Sequence, residues 1–226
     1  MRPSLSWGTA VRVNKKAAAG RVLRREGSEM ATLFAGVDPT ASAARKTACA
    51  LLDERPTLVA LERLRTDEEI VSFVSPAKWV GLDAPCTLPR GMDRCCLEEP
   101  RRCGCSAGER ISGRQAEREL LREGIRAYFI SPNMFARNWV LQGLRLKDRL
   151  EQHGLSVLEV FPNGTKQRLF GRSPFKKSTK PGRIWAQEHL GLWVANLPVP
   201  DDRLLSHDEL DAVLAALTVW LHDRGL

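Results

Sequence analysis

No apolar run in the 226 residues approaches the roughly 18 that a membrane-spanning helix requires, so the sequence predicts no membrane span. The first 30 residues lack the continuous apolar stretch of a secretory signal, and their Arg, Ala and Ser content is only weakly like a transit peptide. With no export signal expected, the cysteines are read as reduced thiols in a cytoplasmic protein. No glycine-rich phosphate loop precedes the last helical segment, which weakens an actin-like or sugar-kinase-like ATPase reading despite the partial echo in Asp38-Pro39-Thr40. Internal repeats are also missing.

What is present fits one soluble globular domain, with 43% hydrophobic and 27% charged residues. The net charge is +8, and the pI of about 9.5 favours an anionic partner. Position matters more than the total. Arg2, Arg12, Lys15, Lys16, Arg21, Arg24 and Arg25 stand against only Glu26 and Glu29 in the first 30 residues, so much of the excess lies outside the expected fold. Residues 1–30 are therefore read as a disordered extension or the product of a mis-assigned start, with Met30 as the alternative first residue. The domain is expected over 31–226.

Apolar runs at 31–37, 46–52 and 57–64, separated by turn-rich segments, predict an antiparallel three-strand meander. Thr66 and Glu69 form a capping-box pattern ahead of a short helix, and 78–82 returns as a strand. Residues 86–111 are rich in Pro, Gly, Cys and Arg and lose periodicity, which predicts an irregular insertion. A charged helix at 113–122, a strand at 125–130, a long amphipathic helix at 133–153 and a strand at 156–161 follow. A basic stretch then runs to Arg183, before a helix through 184–190 and a last helix capped by Ser206 and Glu209.

Four short signatures place carboxylates beside apolar segments: Gly36-Val37-Asp38, Leu82-Asp83-Ala84-Pro85, Glu159-Val160-Phe161-Pro162 and His207-Asp208-Glu209-Leu210-Asp211-Ala212. A carboxylate beside a buried strand is costly unless paired or bound to a cation, so acids converging from distant positions point to Mg²⁺ or Mn²⁺. Asp38 and Asp83 end strands expected to be neighbours, where open α/β sheets bind ligands. Asp208 and Asp211 share a helix face. Glu159 is a further ligand or a base, depending on strand register. Glu209 is better explained as half of a capping box. The metal ligands expected are thus Asp38, Asp83, Asp208 and Asp211, with Glu159 joining them as a catalytic candidate.

The element order describes a ribonuclease-H-like fold: a mixed five-stranded sheet, meander plus parallel strands, flanked by helices and carrying a Cys-rich insertion after the Asp83 strand. With Leu88-Pro89-Arg90-Gly91 and Cys95-Cys96-Leu97-Glu98-Glu99, these motifs resemble domain of unknown function four-two-nine, a family described as predicted nucleases of that fold. The resemblance spans about residues 31 to 224 and implies a nuclease; two divalent ions held by the acids above could hydrolyse nucleic-acid phosphodiesters. A non-catalytic nucleic-acid- or protein-binding scaffold of the same fold is the alternative.

Lys166, Arg168, Lys176, Lys177 and Lys180 belong to an acid-free basic run over 163–183 suited to phosphates, although a solvated loop explains it nearly as well. Arg137, Trp139 and Tyr128 could stack bases, though aromatics at helical spacing are more often core. Cys95, Cys96, Cys103 and Cys105 could hold a structural zinc, but adjacent and single-residue spacings differ from the two-residue spacing of zinc knuckles, and free thiols remain open.

Overall fold

The computed structural model describes residues 31–226 apart from 43 and 106–112; the expectations for residues 1–30 lie outside the described residues. Strands β1 (Leu33–Asp38), β2 (Thr47–Leu52) and β3 (Leu58–Leu64) form the antiparallel meander, and α1 (Asp67–Val74) crosses to β4 (Ala77–Leu82). A short α2 (Cys95–Glu98), then α3 (Gln115–Arg122) and α4 (Arg137–Gln152), lead to β5 (Val157–Glu159). Helices α5 (Pro162–Phe170), α6 (Lys180–Leu190) and α7 (His207–Asp223) complete the chain.

The sheet order is β3-β2-β1-β4-β5, with β1, β4 and β5 parallel. This is the ribonuclease-H-like arrangement. Its turns and caps are written locally. Asp53 accepts bonds from the backbone N–H groups of Arg55 and Thr57, both at 2.9 Å, and closes the β2–β3 connection. Thr66 with Glu69, and Ser206 with Glu209, form complete capping boxes that fix the starts of α1 and α7. No helix among the described residues is long and apolar enough to cross a membrane.

Both faces of the sheet are buried, which is why its central strands read as continuous apolar runs. Ala35, Val37, Val80 and Leu82 pack with Ile70 and Val74 of α1 and Leu146 and Leu150 of α4. Ala48, Ala50 and Leu52 pack on the opposite side with Leu190 of α6 and Val213, Leu214 and Leu217 of α7.

Gly36 and Gly81 are register partners across β1 and β4, and both lie under α7. A Cβ on Gly36 would stand 2.0 Å from the Ala212 carbonyl oxygen and 2.3 Å from the Ala216 nitrogen; one on Gly81 would stand 2.5 Å from the Ala215 oxygen. Helix backbone and sheet backbone therefore meet directly.

Three expectations need correction. Residues 125–130 form no strand: only Ile125 and Ile130 are buried, five apart rather than alternating. Ile125 N–H instead closes α3 by bonding to the Leu120 carbonyl at 2.8 Å, and Ile130 N–H bonds to the Glu117 carboxylate at 3.3 Å. Pro162 does more than stop a strand; it opens α5, where its fixed φ suits the first helical position, so the basic run begins on a helix. The insertion is not wholly irregular, since it contains α2.

Gly36→Ala should lower unfolding stability by about 1–3 kcal/mol, because backbone rather than a flexible side chain occupies the space. Urea denaturation of the variant beside wild type measures this; an unchanged midpoint would contradict the close approach.

Candidate metal centre

Asp38 closes β1, and Asp83 follows β4 directly, its N–H bonded to the Val37 carbonyl at 2.9 Å so that the two strand ends stay in step. Asp211 descends onto the same end from the first turns of α7. One carboxylate oxygen from each of Asp38, Asp83 and Asp211 lies within 4.8 Å of the others. Among the described residues, the side-chain hydrogen bond donated to these three carboxylate groups comes from Lys177, whose Nζ lies 2.8 Å from Asp211 Oδ2.

The two remaining acids are engaged elsewhere. Asp208 lines the same cavity but is met by Arg45 at 2.6 Å, by His207 Nε2 at 2.9 Å and by Arg63 at 4.0 Å. Glu159 lies on the far side of Asp83, where Arg114 grips both its oxygens at 2.6 Å and the Cys86 N–H donates at 2.7 Å. Glu209 serves the α7 capping box and pairs with Arg203 at 2.6 Å.

Burial, then repulsion from Asp83, Asp211 and Asp208, raises the Asp38 carboxyl well above the ordinary aspartate range, with Lys177 opposing. Burial and the charge of Asp211 raise Asp83 likewise, Lys177 again opposing and Glu159 adding to the rise. Burial works against the Lys177 ammonium, but Asp211, Asp83 and Asp38 hold it above its usual value. Three crowded, hard oxygen donors of this kind could hold a divalent cation.

The acid cavity, about 270 Å³, shares Tyr128, Phe161 and Lys177 with a larger open cavity of about 900 Å³. Arg126, Lys166, Gln167 and Arg172 line the larger one. Of the expected phosphate-binding residues, Lys166 and Lys177 line it. Arg168 turns to Glu123 at 3.4 Å, while Lys176 and Lys180 sit exposed at the entry to α6 and do not line it. Arg126 and Arg45 escaped the sequence reading: one lay in the supposed strand and the other in a turn, where charge alone carries no signal. Tyr128 lines both cavities and meets the exposed Phe135 edge to face at 5.8 Å, whereas Trp139 is partly buried against core and donates to the Asp83 carbonyl at 3.3 Å. Cys95, Cys96, Cys103 and Cys105 form a second group of metal-ligating type.

The model of the family described as protein of unknown function (DUF429) matches residues 36–226, and the chain belongs to that family. No curated protein matches it. Among solved structures, Thermus thermophilus RuvC is similar, at 12% identity and a TM-score of 0.42, with 86% of this chain and 97% of that one covered.

An acid whose folded-state pKa is raised stabilises the fold below its unfolded pKa and loses that contribution as pH rises through the folded value. In EDTA, Asp83→Asn should therefore melt above wild type near neutral pH, and the gap should close as pH falls from the raised folded-state value to the ordinary aspartate range. Paired thermal melts across pH check this; a variant less stable at every pH would contradict the repulsion.

Proposed function

We propose that this member of the DUF429 family is a divalent-metal-dependent nuclease that hydrolyses phosphodiester bonds of nucleic acid. The observation that carries the reading is the meeting of Asp38, Asp83 and Asp211 beside a cavity lined by cations. Those three carboxylates would hold Mg²⁺ or Mn²⁺, and the chemistry such an ion supplies when bound is Lewis acidity toward phosphate and water.

The chain's own residues do the rest. Arg126, Lys166 and Arg172 line the neighbouring cavity, where they neutralise the backbone charge of a bound strand. Lys177 spans both cavities and limits the repulsion that Asp211 adds to the centre. Tyr128 and Phe135, both exposed at the acid cavity, offer faces to unstacked bases. Asp208 positions Arg45 at the rim. Glu159, through Arg114 and the Cys86 N–H, fixes the backbone that follows Asp83 and acts as a positioning residue.

One observation favours a second reading. The Lys177 ammonium already compensates Asp211, so the same acids could be retained in a non-catalytic scaffold that binds nucleic acid.

A panel of single-stranded, duplex, hybrid and branched substrates with Mg²⁺ or Mn²⁺ separates the two. The nuclease reading expects cleavage by wild type, lost in Asp38→Asn and Asp83→Asn while binding persists. Arg126→Ala and Arg172→Ala should each reduce the slope of log affinity against log salt by roughly 1. Equal binding by wild type and both aspartate variants, with cleavage by none, favours the scaffold.

A further inference from the structure

Outside the acidic centre, the densest set of metal-ligating side chains is in the insertion. Cys95 and Cys96 open α2, and Arg102 and Cys103 then donate their N–H groups to the Glu99 carbonyl at 2.9 and 3.0 Å, folding the chain back. That turn puts Cys103 Sγ 3.3 Å from both Cys95 Sγ and Cys96 Sγ. Cys105 Sγ lies 3.5 Å from Cys95 Sγ, and all four sulfurs lie within 4.8 Å of one another. Spacing that looked wrong in sequence is thus reconciled by a one-turn helix and a tight return.

We propose that Cys95, Cys96, Cys103 and Cys105 bind one zinc ion as a structural site, separate from the acidic centre. Four sulfurs about 2.3 Å from a shared tetrahedral centre stand about 3.8 Å apart, close to the separations here. A four-iron cluster would spread its cysteines around a cube of iron and sulfide, farther apart than this. No single disulfide is singled out either, since Cys95 and Cys96 are equally near Cys103. The Cys105 N–H points to Cys103 Sγ at 3.4 Å, the kind of bond that steadies a thiolate ligand. The Cys105 thiol donates to Asp93 Oδ2 at 3.6 Å, a bond that is given up when the thiol loses its proton to bind metal. Binding displaces the thiol protons to solvent, so the bound set is four thiolates.

The site has a structural purpose. Cys96 is buried, and Cys103 and Cys105 pack against the cluster of Leu97, Met92, Ile130, Val140 and Leu144, which ties the insertion to α4. Trp139 of α4 joins that cluster and donates to the Asp83 carbonyl. Zinc here would anchor a segment that has little regular structure of its own.

Full-length protein purified without a tag or added metal should contain about one zinc per chain, released to a chromophoric chelator when a mercurial blocks the thiols. Asp38→Asn should retain that zinc and Cys103→Ser should be clearly substoichiometric. Cobalt-exchanged wild type should show thiolate charge-transfer and tetrahedral d–d bands, a readout that needs no variant to fold. Zinc removal should accelerate tryptic cleavage after Arg101 or Arg102. A metal-free protein, iron in place of zinc, full zinc in Cys103→Ser or an octahedral cobalt spectrum would each overturn the site; unchanged cleavage would overturn its anchoring role.

Discussion

Where α7 crosses the sheet, the peptide groups of Ala212, Ala215 and Ala216 rest against Gly36 and Gly81 with no room for a β-carbon between them. Glycine on two paired strands and alanine on the helix are what permit that depth. The approach sets the height of α7, and the Ser206–Glu209 capping box sets its first residue. Together they determine where Asp211 falls. Raising the helix by the thickness of a methyl group would withdraw that carboxylate from Asp38 and Asp83, so a packing constraint in the core specifies the geometry of the acidic centre.

The result is electrostatically unfavourable in isolation. Burial and mutual repulsion push Asp38 and Asp83 toward their neutral forms, and Lys177 offsets the effect only in part. Apolar packing on both faces of the sheet tolerates this concentration of charge. Carboxylates kept together against their own repulsion are what a cation site requires, because the free energy stored in the crowding favours whatever positive charge arrives. The side chains around the trio are arranged differently: Asp208 and Glu159 are each satisfied by arginine. Among the described residues arginine engages Asp208 and Glu159, whereas the trio meets one ammonium, Lys177 at Asp211, and the distinction separates acids placed to hold an ion from acids that hold protein in place.

Asp38 and Asp83 were legible in sequence because each follows an apolar strand and precedes a turn, a pattern with few structural explanations. Asp208 and Asp211 were not separable by spacing, since three residues along a helix keep them on one face. The difference lies in depth, with Asp211 only 4% exposed beside Ala212 and Asp208 at the rim facing Arg45. Glu159 depended on register and on Arg114, 45 residues away in sequence, which no local pattern could announce. The strand expected at 125–130 does not form because its two buried residues, Ile125 and Ile130, stand five apart and give no alternating face. In the basic stretch, composition identified the cations but not the helix α5, which turns Lys166 inward and Arg168 toward Glu123.

The sheet and the insertion meet at Asp83. On one side its N–H continues the β1–β4 ladder through Val37, so the strand end keeps the register of the sheet. On the other, its carbonyl accepts from Trp139, while Arg114 and Cys86 close around Glu159 immediately beyond. The insertion is therefore coupled to the acidic centre through backbone groups, not through ligands of its own. A sheet alone can place a carboxylate at its edge, but the segment leaving that edge must be held if the side chain is to keep one direction. Cysteine clustering, the α4 core beneath it and the Arg114–Glu159 fork all bear on the segment from Ala84 to Cys105, which gives these otherwise irregular residues a physical reason to keep one path.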